Sequence, residues 1–184
     1  LHRAGLDRAT LGGRLTGVFL GAGVHDFEGV VTASSTLSRN VYSATGSSTS
    51  VMSGRLSFVL GMHGACAAYD TACSAALVAN HAALRALQLR ECNDALMAGV
   101  SLFLLPGVSI SFAGAGMTSP HGACHTFDSR ADGYARGEAC TTTALQTRRE
   151  EGSAFASLLG SAVRCDGRSA SLTAPNGQAQ QALL

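Results

Sequence analysis

Ala67-Ala68-Tyr69-Asp70-Thr71-Ala72-Cys73-Ser74-Ala75-Ala76-Leu77 sets one cysteine between a strand-like approach and the most helical run of the chain. From Ser74 to Leu89 there is neither Gly nor Pro, and Ala, Leu, Gln and Arg are good helix formers, so propensity and pattern agree. Cys73 therefore stands at or just before a helix N-terminus. There the first backbone N–H groups lack intrahelical partners and carry partial positive charge, which favours a thiolate, the nucleophilic form of cysteine. Ala75, Ala76, Leu77, Val78, Ala79, Ala82, Ala83 and Leu84 cover most of the circumference, a pattern that predicts a buried helix. On spacing alone the plainer reading of Cys73 leads, that of a small buried hydrophobe.

Composition narrows the classes. A chain of 184 residues can bury a substantial core, and with 46% hydrophobic and 14% charged residues it reads as a soluble α/β protein, or a piece of one, much of whose surface is covered. A net charge of +1 argues against a polyanionic partner, nucleic acid included. All 13 basic residues are arginine, so neither a P-loop nor a lysine Schiff base can be built. Cys66, Cys73, Cys92, Cys124, Cys140 and Cys165 contain no Cys-x-x-Cys pair and no secretory signal precedes them, which favours a reducing intracellular compartment. No run approaches the roughly 20 apolar residues that span a bilayer. The chain begins at Leu1 without Met and stops at Leu184 inside a helix-like stretch, and is read as a fragment.

Asp70-Thr71-Ala72-Cys73-Ser74 followed by an Ala/Leu-rich helix resembles the active-site signature of β-ketoacyl synthases, in particular the ketosynthase domains of type I polyketide synthases. The resemblance displaces the plainer reading and implies that Cys73 is the acyl-accepting nucleophile. Upstream, Leu15 to Gly21 reads as a short buried strand ending in glycines, similar to the first strand of that family. Gly21-Ala22-Gly23 fails as a dinucleotide loop because the sixth position is Asp26. Val31 to Ser50, rich in Ser and Thr, reads as a flexible loop, and Tyr42-Ser43-Ala44-Thr45-Gly46 through Ser53 to Gly61 resembles the ketosynthase helix that approaches the nucleophile and ends at a glycine. Glu91 to Asp94 is a polar break, and Ala95 to Leu105 fits a strand buried on both faces and ended by Pro106-Gly107.

A second block runs from Gly116-Met117-Thr118-Ser119-Pro120 to Phe127-Asp128-Ser129-Arg130-Ala131-Asp132-Gly133-Tyr134 and Arg136-Gly137-Glu138, again similar to ketosynthases. His121, Cys124 and His125 lie close together but without a second ligand pair, so no metal site is assigned. Asp128, Arg130, Asp132, Arg136 and Glu138 are expected to form an ion and hydrogen-bond network that fixes this loop, rather than an acid/base set. Cys140 to Gln146 reads as a strand, Thr147 to Ser153 as a charged turn, and Phe155 to Val163 as another strand. Asp166 to Gly177 is the third similar block, and Gln178 to Leu184 opens a helix.

The resemblance implies the thiolase-like fold, layered α/β/α/β/α, with residues 1–184 supplying mainly the N-terminal half of one ketosynthase domain. It implies a β-ketoacyl synthase that takes an acyl chain from the phosphopantetheine of an acyl carrier protein and condenses it with a malonyl extender. No cofactor is bound directly. The partners implied are acyl carrier protein, acyl and malonyl thioesters and a second copy of the domain, with no nucleic acid and no membrane. The location implied is the cytoplasm, or a plastid were a transit peptide to precede Leu1. None of His2, His25, His63, His81, His121 and His125 lies in the family's His-Gly-Thr-Gly-Thr or Asn-x-x-His motif, so no catalytic histidine is assigned, and this stretch alone is expected to be inactive in condensation. Ala75 and Ala76 stand where relatives often carry serine, Ala65 where proline is common, Ala123 where arginine is frequent, and Ala139-Cys140 where glycines usually follow. A fatty acid synthase condensing domain, a non-condensing ketosynthase-like module that binds acyl carriers and, less well, a degradative thiolase are the competing readings.

Overall fold

The computed structural model describes residues 5–23, 26–147 and 154–184, which fall into two compact units, Leu1–Gln146 and Thr147–Leu184. The first unit opens with helix α1 (Arg8–Leu11), capped by a reciprocal pair in which the Asp7 carboxylate accepts from the Thr10 N–H at 2.7 Å and the Thr10 hydroxyl accepts from the Asp7 N–H at 2.9 Å. Strand β1 (Thr16–Ala22) follows and is buried at all seven positions. Three helices come next, α2 (Phe27–Ala33), α3 (Ser43–Gly46) and α4 (Thr49–Leu60), then strand β2 (Cys66–Tyr69). Helix α5 (Ala75–Gln88), strand β3 (Asp94–Ser101), helix α6 (Gly107–Gly114) and strand β4 (Ala139–Gln146) complete the unit.

The four strands form one sheet in the order β2-β1-β3-β4. β1 is parallel to both neighbours and β4 runs antiparallel to β3, so the sheet is mixed. The α5 crossover from β2 to β3 passes over β1, and alternation along the strands divides the core between the two faces. Phe19 and Ala95 meet Ala79, Ala83, Ala86 and Leu87 of α5 on one face. Val18 and Leu96 meet Leu11 and Met62 on the other. At the mouth of β3 the Arg14 guanidinium pairs with Asp94 at 2.6 Å.

Several expectations change. Val31 to Ser50 is largely helix and turn, because its hydroxyls and amides satisfy the backbone locally: Ser47 Oγ donates to the Ser43 carbonyl, and Asn40 Oδ1 accepts from the Tyr42 N–H. The α4 helix ends at Gly61 in the left-handed region (φ +69), as the family resemblance implied. Helix α5 is buried on one face only: Ala75, Ala79, Ala83, Ala86 and Leu87 are covered, whereas Leu77 is 72% exposed. β3 stops at Ser101, four residues before Leu105, because the next amides turn to side-chain acceptors.

In the second unit the strand expected over Phe155 to Val163 does not form. Residues 154–163 pair with no strand, and Phe155 and Leu159 lie open. Helix α7 (Gly177–Gln181) is capped by Asn176, whose Oδ1 accepts from the Ala179 N–H, and Asp166 Oδ2 holds the Asn176 N–H at 2.8 Å. Residues 148–153 of the charged turn lie outside the described residues, as do His2 and His25. Among the described residues no helix is long and apolar enough to cross a membrane.

Candidate active site

Cys73 sits in a single 3-10 turn, Ala72–Ser74, that runs directly into α5. The turn is built by its neighbours. Asp70 Oδ1 accepts from the Ala72 N–H at 3.1 Å, and Ser74 Oγ bonds both the Thr71 carbonyl at 2.8 Å and the Thr71 hydroxyl at 2.9 Å. Asp70, Thr71 and Ser74 are thus fixed by local chemistry rather than by burial. Ala72 has φ +53, a left-handed conformation that costs an L-residue about 1–2 kcal/mol. The strain falls on the residue before the thiol and turns the chain sharply from strand to helix, leaving Cys73 exposed. The reading of Cys73 as a small buried hydrophobe expects a covered thiol, and among the described residues it is exposed.

The first turn of α5 is pressed onto the sheet. Gly21 and Gly99 are register partners in β1 and β3. A methyl group on Gly21 would reach 2.4 Å from the Ala76 nitrogen, and one on Gly99 would reach 2.9 Å from the Ala76 Cβ. The two glycines make a depression that receives Ala76, and through it the helix start and Cys73 are held at fixed height over the carboxyl ends of the parallel strands. The depression gives the Gly21-Ala22-Gly23 run a packing role.

A cleft of about 220 Å³ opens beyond the ends of β1 and β3, lined by Gly23, Phe27, Met52, Val100, Leu102 and Leu104 among others. Gly23 joins it to the nucleophile turn, since a methyl group there would lie 3.7 Å from Asp70 Oδ1 and 4.0 Å from Ala72 Cα.

The segment from Met117 to Glu138 folds back on itself through a bridge between Thr118 and Tyr134. Its charged residues do not form one network. Asp128 and Arg130 pair with each other at 2.8 Å, and the guanidinium holds the Asp128 carboxyl below its ordinary range. Asp132 approaches His121 at 3.9 Å. Arg136 turns inward, its guanidinium 4.1 Å from the Phe103 ring centre and 5.2 Å from that of Phe112, while donating to Ser109 Oγ. Glu138 Oε1 accepts from the Phe103 N–H at 2.6 Å. Cys124 Sγ accepts from the Ala135 N–H at 3.1 Å, and among the described residues no group of three His, Cys, Asp or Glu side chains is placed to hold a metal.

Sequence reasoning missed Asp26, noted only for breaking a glycine pattern. Its Oδ2 accepts from the N–H groups of Leu104 and Leu105 at 3.1 and 3.0 Å, across 78 and 79 residues of chain. No local spacing signals such a bond.

Comparison with known proteins agrees with this geometry. Residues 1–151 match the family "Beta-ketoacyl synthase, N-terminal domain". The whole chain is 42% identical to a stretch of one component protein of the phenolphthiocerol/phthiocerol polyketide synthase of Mycobacterium tuberculosis, of which it spans 9%. Over 98% of its length it is 41% identical to a second component of that synthase from the same species, spanning 12% of that protein. Among solved structures it superposes on the ketosynthase from module 6 of the bacillaene synthase of Bacillus subtilis with a TM-score of 0.83 at 32% identity, covering 98% of this chain and 30% of that one. An oxazolomycin ketosynthase domain from Streptomyces albus gives a TM-score of 0.67 at 30% identity, covering 78% and 25%. The chain belongs to the β-ketoacyl synthase family, and its fold is that of polyketide synthase ketosynthases, thiolase-like, over the part it spans.

Proposed function

We propose that this chain carries the acyl-accepting half-site of a polyketide synthase ketosynthase domain, of which residues 1–184 supply mainly the N-terminal half, and that Cys73 is the acceptor. The observation that carries the reading is the exposed thiol on a strained turn at the start of a helix seated on two glycines. In the step proposed, the Cys73 thiolate attacks the carbonyl carbon of an acyl thioester on the phosphopantetheine of an acyl carrier protein. The Cys73 S–C bond forms, the carrier's C–S bond breaks, and the released carrier thiolate takes up the proton lost by Cys73. Transfer between two sulfurs is redox-neutral and requires no bound cofactor. The Cys73 backbone N–H is the proposed donor to the developing oxyanion.

Decarboxylative condensation with a malonyl extender is assigned to the whole domain, because no histidine of this chain lies in the family's two histidine motifs. The second reading is a non-condensing ketosynthase-like module that binds acyl carriers; intact histidine motifs in the full-length protein favour the condensing enzyme and replaced ones the module. Fatty acid elongation uses the same acyl-transfer chemistry, and the polyketide assignment is supported by the relatives above. For the homodimer we propose the outer edge of β2, at the end of the sheet order, as the contact. The location proposed is a reducing cytoplasm, supported by six cysteines without a Cys-x-x-Cys pair.

The test is acyl loading of the full-length protein, followed by intact mass with Cys73→Ala as control. Loading lost in Cys73→Ala, with product formed when malonyl-carrier protein is added, supports the condensing enzyme. Loading that depends on Cys73 without product supports the non-condensing module, and loading indifferent to Cys73→Ala refutes both.

A further inference from the structure

We propose that Asp26 and Glu138 are positioning residues that set one wall of the cleft beside Cys73 and thereby decide the length of acyl chain accepted. The inference rests on Cys73 being the acyl acceptor. Once β3 ends at Ser101, the amides of Phe103, Leu104 and Leu105 have no ladder partner. All three are taken by two carboxylates that arrive from opposite directions in sequence. Glu138 Oε1 receives the Phe103 N–H at 2.6 Å, and Asp26 Oδ2 receives those of Leu104 and Leu105 at 3.1 and 3.0 Å. Hydrogen bonds to an ionised acceptor are shorter and stronger than neutral ones, so three consecutive residues are pinned without strand pairing.

The pinned segment reaches the cleft through Leu104, next to Leu102 in the lining. Leu102 and Leu104 line, with Phe27, Met52 and Val100, a space of about 220 Å³, apolar enough for an alkyl group and short of the roughly 300–1,000 Å³ of drug-sized sites. The space lies beyond the carboxyl ends of parallel strands, where α/β sheets commonly bind ligands. Asp26 also lines it, at the foot of α2, so one carboxylate ties the Leu104 side to the Phe27 side. Arg136 stacks on Phe103, the residue between Leu102 and Leu104. Without the Asp26 carboxylate, the Leu104 and Leu105 amides would need other partners and the wall would lose its fixed height. A short acyl group that does not reach the wall would be affected less than a long one.

The test compares loading rates of acetyl and octanoyl N-acetylcysteamine thioesters on the full-length protein, by intact mass. Asp26→Ala and Glu138→Ala should lower the octanoyl-to-acetyl ratio about tenfold. Asp26→Asn and Glu138→Gln keep an acceptor oxygen and should bring the ratio back to within about threefold of the parent. A ratio unmoved by the alanine variants, or amide variants no better than alanine, overturns the proposal. Asp26→Glu keeps the charge but extends it by one methylene. It should shift the ratio at least about threefold, and an unmoved ratio there overturns the proposal even where the alanine variants do not fold. Loading that survives Cys73→Ala would sink the acceptor reading itself, whereas Cys73-dependent loading with a ratio indifferent to Asp26 and Glu138 sinks the positioning role alone.

Discussion

Gly21 and Ala76 meet with no room for a side chain between them: a methyl group on Gly21 would stand 2.4 Å from the Ala76 nitrogen and 2.5 Å from its Cα. The obstructing atoms are backbone, which cannot swing aside, so Gly21→Ala must lift the first turn of α5 off β1. The expected cost is about 1–3 kcal/mol, the range for overpacking a tight core. Loading at Cys73 should fall further than the melting temperature alone would suggest, because the displaced turn carries the thiol. A variant that melts with the parent would show that α5 is not seated as described.

Ala72 supplies a second handle on the same turn. Its φ of +53 suits glycine, tolerates alanine at a cost and strongly disfavours a β-branched residue. Thermal melts should therefore rank Ala72→Gly at or up to about 1 kcal/mol above the parent and Ala72→Val below it by about 2 kcal/mol or more. Valine matching the parent would contradict the left-handed turn.

Cys73 and Cys92 are opposite cases of one side chain. Cys92 is 2% exposed between β1 and α5, and burial pushes its thiol above the ordinary range, with Asp94 and Glu91 adding to the rise. As pH climbs through the ordinary thiol range, an unfolded Cys92 loses its proton while the folded one keeps it, so stability falls with rising pH. Denaturant melts across that range should show a decline that Cys92→Ala lessens. Iodoacetamide should label exposed Cys73 in the native protein and Cys92 only on unfolding; labelling both at one rate would contradict their placement.

How far the sequence reveals this arrangement depends on the range of the interaction. β1 and α5 are legible because a fully buried strand and a Gly-free Ala/Leu helix announce themselves in composition. The turn at Cys73 is legible because Asp70, Thr71 and Ser74 bond within a few residues. Val108-Ser109-Ile110-Ser111-Phe112 alternates as a strand would, yet forms α6, with Pro106 placed at its N-cap. Phe155 to Val163 is apolar enough for a strand but pairs with no strand among the described residues. Least visible are the bonds from Asp26 and Glu138 to residues 103–105, where partners 35 to 79 residues apart leave no periodic trace.

Arg136 predicts a difference between two substitutions usually thought alike. Its planar guanidinium stacks on Phe103 and Phe112 while bonding Ser109, which a lysine ammonium cannot reproduce at once. Arg136→Lys should lose most of what Arg136→Ala loses, about 1–2 kcal/mol by denaturant melt. A lysine variant as stable as the parent would reduce Arg136 to a simple charge.

Ser47 tests the cleft independently of the carboxylates that hold its wall. It lines the space together with Leu102 and Leu104, half-buried, and its hydroxyl donates to the nearby Ser43 carbonyl at 3.2 Å. Ser47→Phe adds a ring to the lining of the cleft. If the acyl chain lies there, the octanoyl-to-acetyl loading ratio should drop about tenfold or more, since a filled pocket excludes carbons that a short chain never places in it. Ser47→Ala, which only removes a local hydrogen bond, should leave the ratio near that of the parent. A ratio insensitive to the phenylalanine would move the acyl chain elsewhere, and with it the reason for fixing residues 103–105 so firmly.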